Sequence, residues 1–444
     1  MKKSVLAVLA LLAVLTALWL AALAGADANA GGNFWALRKL AIYYTGIAAL
    51  GCMSAGLLLA TRPAWADRLL GGLDQAYRLH KWLGIAAVSL GAAHWLIKLV
   101  PKWLVAQGWL ERAAHKGGRG AESWLDLLRK PAESLGEWAI YLVIPIVLLA
   151  LWKRFPYRPA FLLHRVLAGT YLVLVFHGAA LMPPAYWLTP LGAVMAVLMA
   201  AGSWGAALSL AGRIGARRRV AGRIVALRPH PGSGVLEVEC QLDAGWPGHA
   251  AGQFAFVTFG RGEGAHPFTI ASAWRDDGRL SFAIKALGDY TRALPQQVAA
   301  GDALTVEGPY GRFDFAGRGE RQVWVAGGIG ITPFLARLEA LAAAGGSRQP
   351  VDAFYCTAAA DPGFIARLRQ LAEQARVRLH LRVTPQDGLL TPATLAEALG
   401  GKDGVARSDV WFCGPAGFGR ALRHGLAAQG LPAGRFHQEA FEMR

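Results

Sequence analysis

Uncharged apolar stretches dominate the first half of the chain. Residues 4–24 and 40–60 contain no charged side chain, and residues 166–212 form a longer uncharged stretch interrupted at Met182-Pro183-Pro184. Two shorter apolar stretches lie at about residues 77–100 and 138–152. A helix of about 20 apolar residues crosses a bilayer, and the longest stretch has room for two such helices. The pattern therefore predicts six membrane-spanning helices, whose two ends lie on the same side of the membrane.

The second half of the chain has short segments with a strand-like pattern. Residues 234–242, 252–259, 279–285 and 303–307 alternate between apolar and polar positions as half-buried antiparallel strands do. This alternation predicts a small barrel or sandwich. From residue 320 onward, apolar strands at about residues 322–325, 353–356, 377–383 and 410–413 are separated by helical segments, two of which begin near residues 332 and 364. Alternating strands and helices predict a doubly wound parallel sheet.

Composition agrees with a protein that is half membrane-embedded. The 444 residues are 54% hydrophobic and only 17% charged, an apolar excess that argues against water-soluble domains alone. The formal net charge is +17, and most of it lies in the apolar half, where basic residues beside membrane spans are expected. The charge therefore gives no support for a nucleic-acid partner. The four cysteines stand singly, so no zinc site, iron–sulfur cluster or disulfide framework is encoded.

The distribution of basic residues predicts the orientation. With the N-terminus inside, the long outer connection, residues 101–136, departs mildly from the positive-inside rule, but long connections can cross regardless of charge. The first span has an alternative interpretation as a cleaved secretory signal, because Lys2-Lys3 precedes it and small residues follow it. We expect an integral protein of a bacterial inner membrane whose second half is cytoplasmic. The basic residues that then lie inside are Arg62, Arg68, Arg78, Lys81, Lys153, Arg154, Arg158, Arg213 and Arg217–Arg219.

Four histidines lie within the predicted spans. His80 and His94 are on the third span, and His164 and His177 are on the fifth. Ionisable groups at membrane depth are costly and usually functional, although a single histidine could be satisfied by a hydrogen bond between helices. The two histidines of each span are fourteen and thirteen residues apart, a separation of about 20 Å along a helix, which one metal ion cannot bridge.

Two planar cofactors stacked across the membrane fit this spacing, each held by one histidine from either helix. Bis-imidazole haem is the candidate, with His80 paired to His164 near the inner face and His94 paired to His177 near the outer face. At about 100° per residue, two residues that are thirteen positions apart on a helix point about 140° away from each other around its axis. We therefore expect the fifth span to be overwound, kinked or tilted, with Gly169-Thr170 as the place for it.

Three basic residues near these histidines have more than one interpretation each. Lys81 and Arg165 follow the inner ligands, where they would either pair haem propionates or anchor the helix at the membrane surface. Lys98, one helical turn beyond His94, would steer an anion, bind a propionate or extend its ammonium to the interface.

Two motifs in the α/β segment are typical of nucleotide binding. The first strand ends in Gly327-Gly328-Ile329-Gly330-Ile331-Thr332-Pro333, after which a helix begins. Glycines allow a pyrophosphate to approach the backbone, and the N-terminus of the helix offers free N–H groups. Cys413-Gly414-Pro415 ends a later strand at the same edge of the sheet, where doubly wound folds bind ligands. An ordinary strand-to-helix turn is the alternative for each motif taken alone.

Two further motifs lie in the antiparallel segment. His266-Pro267-Phe268-Thr269-Ile270-Ala271-Ser272 combines a hydroxyl, an aromatic ring and a rigid proline, which suits a flat heteroaromatic ring. Gly288-Asp289-Tyr290-Thr291 opens a short helix whose N–H groups could hold a second pyrophosphate. A buried strand and a helix cap are the alternatives.

In the order of its parts and in these motifs, the chain resembles the NADPH oxidase and ferric reductase superfamily. The resemblance covers nearly the whole chain, and the histidine spacing is its most specific element. It implies a membrane α-helical bundle of six spans followed by an antiparallel β-barrel FAD domain and an α/β doubly wound nucleotide-binding domain. The expected boundaries are 1–212 for the transmembrane haem domain, 213–318 for the FAD-binding domain and 319–444 for the NAD(P)H-binding domain.

The resemblance also implies roles for individual residues. Two b-type haems would be bound by His80, His94, His164 and His177. The flavin ring of FAD would be seated by His266, Pro267, Phe268, Thr269, Ile270 and Ser272, and its pyrophosphate held by Gly288, Asp289, Tyr290 and Thr291. NADPH or NADH would be bound by Gly327, Gly328, Gly330, Thr332, Pro333, Cys413, Gly414 and Pro415, while Phe441 would stack on the flavin. Of these residues, Thr269, Cys413 and Phe441 are the candidate catalytic ones.

Two positions depart from the pattern of the superfamily. Relatives selective for NADPH usually carry a basic residue after the second strand of the nucleotide domain, whereas this chain reads Cys356-Thr357-Ala358-Ala359. NADH, or use of both nucleotides, is therefore expected. Three residues follow Phe441, where many relatives end, so an ordinary core position is its alternative interpretation.

The predicted activity is transmembrane electron transfer. Cytosolic NAD(P)H would give a hydride to FAD, and single electrons would pass through the two haems to an acceptor outside, either O2, giving superoxide, or a ferric chelate. One rival hypothesis is a haem module that reduces a specific periplasmic protein docked on residues 101–136. A second, weaker rival is a transporter or channel regulated by nucleotide binding.

Overall fold

The computed structural model describes residues 2–25, 33–112, 124–152, 157–260 and 264–438. Two compact units divide between Ile214 and Gly215. Among its described residues, the first unit has the helices α1 (Lys2–Gly25), α2 (Phe34–Ala60), α3 (Ala64–Leu70), α4 (Leu73–Ala106), α5 (Trp124–Leu151), α6 (Tyr157–Leu181), α7 (Pro184–Trp187) and α8 (Pro190–Leu210). Six of them, all but α3 and α7, are long and apolar enough to cross a membrane. The predicted six spans are thereby confirmed.

Helix α2 occupies the middle of the bundle. It packs against α1, α4, α6 and α8, and its buried positions include the small residues Ala48, Ala49, Gly51 and Ser54. Small side chains let neighbouring helices approach closely, which is the main source of attraction between helices in lipid. The prolines at 183, 184 and 190 separate the last helices, since Pro184 and Pro190 stand at helix starts.

The connection between the third and fourth spans is shorter than predicted. Helix α4 continues to Ala106 and α5 begins at Trp124, so about half of the predicted connection of residues 101–136 lies within helices. Charged and proline residues marked the ends of the spans in the sequence, but a helix can continue into the polar region beyond the hydrocarbon core. Residues 113–123 lie outside the described part of the chain.

Pro101 lies inside α4 and has no N–H, so it leaves the Ile97 carbonyl without its helical donor. Arg38, on α2, supplies the replacement. Its Nε donates to the Ile97 carbonyl at 3.0 Å, and its Nη2 donates to the Lys98 carbonyl at 3.1 Å. This contact ties the start of α2 to the proline-interrupted turn of α4.

The second unit begins with the predicted antiparallel sheet, which is a barrel. Its elements are β1 (Arg219–His230), β2 (Val235–Leu242), β3 (Phe254–Phe259), β4 (His266–Thr269), β5 (Arg279–Lys285), α9 (Asp289–Gln297) and β6 (Ala303–Tyr310). The strand order is β4-β3-β6-β1-β2-β5, and an antiparallel bridge between Ile270 and Phe282 closes the ends of the sheet. Alternate residues such as Val238, Val257 and Phe282 fill the interior, as the period of two requires.

The predicted doubly wound sheet follows. Its elements are β7 (Arg321–Gly327), α10 (Thr332–Ala343), β8 (Val351–Thr357), α11 (Pro362–Gln374), β9 (Arg378–Val383), α12 (Thr384–Asp387), α13 (Pro392–Ala398), α14 (Lys402–Ala406), β10 (Ser408–Cys413), α15 (Ala416–Ala428) and β11 (Phe436–Gln438). The strands are parallel in the order β11-β10-β7-β8-β9, and apolar clusters cover both faces. Strands β8 and β9 are added on one side of β7, whereas β10 and β11 lie on its other side. This change in the order of the strands places the ligand-binding crevice at the carboxyl ends of β7 and β10.

Both edge strands of this sheet are held by the same kind of contact, in which a histidine stacks on an aromatic ring and lies close to a buried aspartate. His437 of β11 stacks on Trp411 with ring centres 4.0 Å apart and lies 2.9 Å from the buried carboxylate of Asp409. On the opposite edge, His380 of β9 stacks on Phe354 at 4.3 Å and lies 3.0 Å from buried Asp352. Each imidazole thus stacks on the aromatic residue that pairs with it on the neighbouring strand. It also contacts the carboxylate of the aspartate two residues before that aromatic residue.

Candidate functional site

The membrane helices bring the four histidines together in the two predicted pairs. The ring centres of His80 and His164 are 5.8 Å apart, and those of His94 and His177 are 6.3 Å apart. The ring planes within the pairs are turned by 63° and 78°. Each pair contains one imidazole from α4 and one from α6, so the two helices face each other at two depths.

Main-chain carbonyl groups orient three of these imidazoles. The Nδ1 atoms of His80, His94 and His177 lie 2.9, 3.0 and 2.7 Å from the carbonyl oxygens of Gly56, Ile42 and Ala132, respectively. A carbonyl can only accept, so each neutral ring carries its proton on Nδ1 and keeps the lone pair of Nε2 free to bind a metal. Such second hydrogen bonds set the orientation of metal-binding histidines.

Glycines allow two of these rings to lie against a neighbouring helix. A Cβ on Gly136 of α5 would overlap the His177 ring, coming within 2.9 Å of its Cγ atom. A Cβ on Gly46 of α2 would lie 3.3 Å from the His94 ring. Helices α2 and α5 contribute no histidine, yet they form the surfaces on which the outer pair rests.

Helix α6 contains the position where an irregularity was expected. It is continuously α-helical from Tyr157 to Leu181, so the helix is not broken at Gly169-Thr170. The Thr170 hydroxyl donates to the Val166 carbonyl at 3.0 Å, a contact that often accompanies a slight bend. The expected overwinding, kink or tilt of α6 therefore stays a prediction. His177 lies beside α5, against Ala132 and Gly136, and opposite His94.

The geometry of each pair fits a bis-imidazole iron porphyrin. Two metal–nitrogen bonds of about 2.0–2.1 Å, together with about 1.1 Å from each ring nitrogen to its ring centre, place ring centres roughly 6 Å apart. The observed separations of 5.8 and 6.3 Å agree with this value. Each pair would hold one iron porphyrin through its two imidazoles, and the iron would supply one-electron redox chemistry.

The basic residues near the pairs have partners within the bundle. Lys98 lies 3.5 Å from the Glu137 carboxylate, so its charge is partly matched at the outer pair. Arg165 donates to the Leu210 carbonyl at 2.7 Å, while Lys81 is exposed. These contacts are compatible with every interpretation given above for the three residues.

In the barrel, the candidate flavin segment forms β4 and the turn after it. The Thr269 hydroxyl is buried and has no hydrogen-bond partner among the described residues, which fits a group that is satisfied by a bound ring. The His266 ring stacks on Tyr290 with centres 4.1 Å apart, which joins the two barrel motifs. Pro267 pairs with Phe256 of β3, whereas Phe268 packs partly against the barrel core.

Two residues of this segment have structural partners. The Ile270 side chain is fully buried in the barrel core, so only its main chain could face a ligand. The Ser272 hydroxyl accepts from the Ser281 N–H at 3.0 Å, and the Ser272 carbonyl lies 3.0 Å from Nε2 of His249. His249 was not among the sequence candidates, because a lone histidine in a turn carries no motif.

The second barrel motif opens α9. Asp289 and Tyr290 begin the helix, whose first N–H groups have no helical acceptor. The Gly288 N–H donates to the Thr291 hydroxyl at 3.0 Å. A pyrophosphate at this helix would therefore be held by the N–H groups that follow Gly288.

In the nucleotide-binding fold, the two glycine motifs meet at the topological switch point. Gly328 has a φ of +57°, a left-handed conformation that favours glycine. A Cβ on Gly330 would overlap the Cys413 carbonyl, so this glycine permits the two turns to touch. Thr332 and Pro333 are buried at the start of α10, and Pro415 precedes α15. The Cys413 side chain is fully buried in the core of this fold.

An open cleft lies between the barrel and the nucleotide-binding fold. Its walls include the Gly328 turn, the end of β8 at Thr357, and Ala271 and Ser281 of the barrel. Its position at the carboxyl edge of the parallel sheet is where dinucleotides bind. Phe441, the predicted flavin-stacking residue, lies outside the described residues.

Charged residues of the cleft are functional candidates that sequence reasoning missed. The Lys285 ammonium would lie 3.8 Å from a Cβ on Gly328, beside the glycine turn. Other charged or titratable lining residues are His230, Glu237, Asp361 and Arg367. None of them lies in a recognisable motif, because they come from β1, β2, β5 and α11 and are brought together only by folding.

Two carboxylates of this cleft are held in their charged form. Burial would raise the pKa of Glu237, but the hydrogen bond from Arg367 at 3.0 Å and its positive charge outweigh burial and hold that pKa below its ordinary value. The N–H of Phe364 lowers the pKa of Asp361, with a further contribution from His230. Both groups are therefore anionic at neutral pH.

Comparison with known proteins assigns both parts of the chain. Residues 45–175 match the family described as ferric reductase like transmembrane component, and residues 223–314 match an FAD-binding domain family. The chain is 42% identical over 86 residues to ferric reduction oxidase 2 of Arabidopsis thaliana, a match that covers 18% of this chain and 12% of that protein.

Further similarities are to bacterial reductases. The chain is 31% identical over 152 residues to the vanillate O-demethylase oxidoreductase of Pseudomonas putida, covering 34% of this chain and 45% of that protein. It is 29% identical over 180 residues to the toluate 1,2-dioxygenase electron transfer component of the same species, covering 38% and 52%. The chain thus spans about half the length of these relatives.

Among solved structures, the ferredoxin reductase in carbazole 1,9a-dioxygenase is similar, with 22% identity, a TM-score of 0.43, and coverage of 50% of this chain and 69% of that chain. The two family matches follow the order of the two units in the structure, helical bundle first and barrel second. With a ferric reductase-like transmembrane domain joined to an FAD-binding reductase, the chain belongs to the NADPH oxidase and ferric reductase superfamily.

Proposed function

We propose that this membrane oxidoreductase passes electrons from cytosolic NAD(P)H, through FAD and two b-type haems, to an acceptor on the outer side of a bacterial inner membrane. The observation that carries the proposal is that α4 and α6 form two pairs of imidazoles. The ring centres are 5.8 Å apart in one pair and 6.3 Å apart in the other. Three of the four rings have their Nδ1 atoms engaged by carbonyls. The proposal includes the expected domain boundaries after residues 212 and 318. The division of the chain between Ile214 and Gly215 supports the boundary after residue 212.

The reaction balances as a two-electron oxidation coupled to two one-electron reductions. Each NAD(P)H becomes NAD(P)⁺ and releases one proton and two electrons, which reduce two ferric chelates to the ferrous state or two O2 to superoxide. When bound, flavin accepts a hydride and releases single electrons, and haem carries one electron at a time.

The residues of the chain bind and orient these groups. The Thr269 hydroxyl is placed to hold a polar atom of the flavin ring, and Lys285 with the Gly328 turn is placed to bind the pyrophosphate of the nucleotide. Four histidines hold the iron atoms at two depths, so the outer pair ends the path close to the outer surface.

The test is anaerobic addition of NADH or NADPH to the purified protein while the flavin and haem absorption bands are followed, and then addition of O2 or a ferric chelate. We expect flavin bleaching, reduction of two haems per chain, and reoxidation by at least one acceptor. His94→Ala should remove the outer haem and stop acceptor reduction, while the inner haem is still reduced.

The matched control is His424→Ala, which replaces an exposed histidine of α15. It should leave the haem content and turnover unchanged. A wild-type protein without haem bands, or one whose haems stay oxidised after flavin bleaching, would contradict the proposal. The first result would favour the nucleotide-regulated transporter or channel.

A further inference from the structure

We infer that Glu339 is a positioning residue for hydride transfer, which holds the glycine turn of the nucleotide-binding fold at a fixed distance from the flavin segment. The flavin segment is residues 266–272, and the glycine turn is residues 327–331. This inference rests on the proposed function, because it concerns the step in which NAD(P)H gives a hydride to FAD. Reacting atoms must lie about 3–3.5 Å apart, so a small change in the spacing of the two rings slows the step.

One helix carries both the glycine turn and Glu339. Helix α10 begins at Thr332, directly after the turn. Glu339 lies seven residues further along this helix, which is about 10 Å at 1.5 Å per residue. The intervening part of α10 is fixed by packing, since most of its side chains are buried in the nucleotide-binding fold. The glycine turn and Glu339 therefore move as one body.

The Glu339 carboxylate contacts the end of the flavin segment. Its Oε2 accepts from the Ala273 N–H at 3.1 Å, and Ala273 directly follows Ser272. On the barrel side, the Ala271 N–H donates to the Ser281 carbonyl of β5 at 2.8 Å. The main chain at the end of this segment is thus held from two directions, by a strand of the barrel and by a helix of the nucleotide-binding fold.

Arg367 of α11 holds the Glu339 carboxylate in this orientation. Its Nη2 donates to Oε1 of Glu339 at 3.3 Å, so the two oxygens of the carboxylate have different partners. Its Nη1 donates to Glu237 of β2 at 3.0 Å, which is a second contact with the barrel. Only 11% of the Glu339 side chain and 15% of the Glu237 side chain are exposed. Charge-assisted hydrogen bonds are strong where solvent is largely excluded, so these contacts resist movement of one fold against the other.

The contacts of Glu339 affect the alignment of the two cofactor sites without forming either site. Neither Glu339 nor Ala273 is among the described residues that line the cleft. Removal of the carboxylate would release the end of the flavin segment from α10, while the groups that face the nucleotide stay in place. We therefore expect a loss in the rate of hydride transfer and little change in nucleotide affinity.

The test is anaerobic reduction of the flavin in a single turnover, followed by the bleaching of the flavin band in wild-type protein and in Glu339→Ala. The reductant is NADH or NADPH, whichever bleaches the wild-type flavin faster. We expect the bleaching rate at saturating nucleotide to fall about tenfold, since a misplacement of 1 Å can cost about a hundredfold. The half-saturating nucleotide concentration and the flavin content should change less than about twofold.

Two further variants separate positioning from general damage. Glu339→Gln keeps an oxygen that can accept from the Ala273 N–H, so it should recover most of the rate lost in Glu339→Ala. Arg367→Met leaves the Glu339 carboxylate without its guanidinium and should also slow bleaching, which provides the test if Glu339→Ala does not fold. Because Arg367 lines the cleft, the comparison uses the rate at saturating nucleotide, where a change in affinity has no effect.

The matched control is Glu320→Ala. Glu320 belongs to the same fold and also pairs with an arginine, Arg407 at 3.7 Å, but both side chains are exposed. This variant should bleach at the wild-type rate.

The inference is overturned if Glu339→Ala folds with normal flavin content and bleaches at the wild-type rate. It is also overturned if only the half-saturating concentration changes, since Glu339 would then act on binding, or if Glu320→Ala slows bleaching equally. Failure of both nucleotides to bleach the wild-type flavin is a different result, since it contradicts the proposed function itself.

Discussion

Gly136 shows how a single hydrogen atom in place of a side chain can set the position of a candidate metal-binding ring. The His177 imidazole lies on the backbone of α5 at this glycine and donates Nδ1–H to the Ala132 carbonyl at 2.7 Å. A methyl group here would overlap the ring, and the ring cannot move away without losing its carbonyl partner. The glycine would therefore act on the proposed outer haem site through the position of His177.

We predict that Gly136→Ala lowers the haem content from about two to about one per chain, with loss of the outer haem, because His177 is displaced. The measurement is haem absorbance per protein, with the spin-state bands that report axial ligation. Gly169→Ala is the control, since a Cβ there meets no atom within 4 Å. Alanine is favoured over glycine in helices by roughly 1 kcal/mol, so the control should be neutral or stabilising. Retention of two intact haems by Gly136→Ala would contradict the prediction.

His249 links stability to pH in the barrel. Its Nδ1 accepts from Trp246 Nε1 at 3.4 Å, and its Nε2 donates to the Ser272 carbonyl at 3.0 Å, at the end of the flavin segment. Burial lowers the pKa of His249 below its ordinary value, although the bond to Ser272 opposes this effect. Protonation would remove the acceptor for Trp246, so the folded barrel favours the neutral ring.

A lowered pKa means that the unfolded chain binds the proton more tightly. The stability from the neutral ring is therefore complete above the ordinary value of about 6.5 and is lost as pH falls below it. We predict that thermal stability and flavin retention decrease from pH 7 to pH 5, and that His249→Gln reduces this dependence. His424→Gln, at an exposed position of α15, is the control. If thermal stability and flavin retention depend on pH equally in His249→Gln and in the wild-type protein, groups other than His249 control this dependence.

At the scale of helices, α2 and α4 are joined by a contact that replaces a missing helical hydrogen bond. Pro101 leaves the Ile97 carbonyl without its donor, and Arg38 from α2 donates to it at 3.0 Å. An unsatisfied carbonyl in a partly buried site costs about 1–3 kcal/mol. The interaction couples two residues that are far apart in the sequence.

We predict that Arg38→Met destabilises the bundle by about 1–3 kcal/mol. The additional change Pro101→Ala should reduce this loss, because alanine provides an N–H for the Ile97 carbonyl. Thermal unfolding in detergent of the two single variants and the double variant measures the coupling. Additive losses in the double variant would show that Arg38 acts elsewhere, for example through its stacking on Trp35, with the guanidinium 5.5 Å from the ring centre.

The sequence predicted the presence and type of helices and strands better than it predicted the residues at which they end. The six spans, the barrel strands and the parallel strands follow from apolar length and from a period of two, which are local properties. Strands β1 and β11 were missed, because β1 alternates irregularly and β11 has only three residues. Strand β4 was given only as the alternative for the His266–Ser272 motif. The ends of α4 and α5 were misplaced, because polar residues continue a helix outside the hydrocarbon core.

At the scale of the whole molecule, the even number of spans requires both ends of the bundle to lie on one side of the membrane. The positive-inside pattern predicts that this side is cytoplasmic. The turn after α4 then lies outside, and the second unit lies inside. The four native cysteines are buried, so introduced cysteines can be labelled against a low background.

We predict that Gln107→Cys, at the exposed end of α4, reacts with a membrane-impermeant maleimide added to intact spheroplasts. Gln370→Cys, on the exposed face of α11, should react only after the membrane is opened. The protein without added cysteines controls for background. The opposite labelling pattern would reverse the orientation and separate NAD(P)H from its cytosolic supply.

The histidine pairing and the class of each domain followed from patterns that neighbouring residues carry themselves: length, period and the spacing of four imidazoles. Other features needed the folded chain. The carbonyls of Gly56, Ile42 and Ala132 orient the imidazoles from helices that bear no ligand. Lys285 and Asp361 reach one cleft from separate strands and helices. Such contacts join residues distant in sequence, and only packing brings them within hydrogen-bonding or electrostatic range.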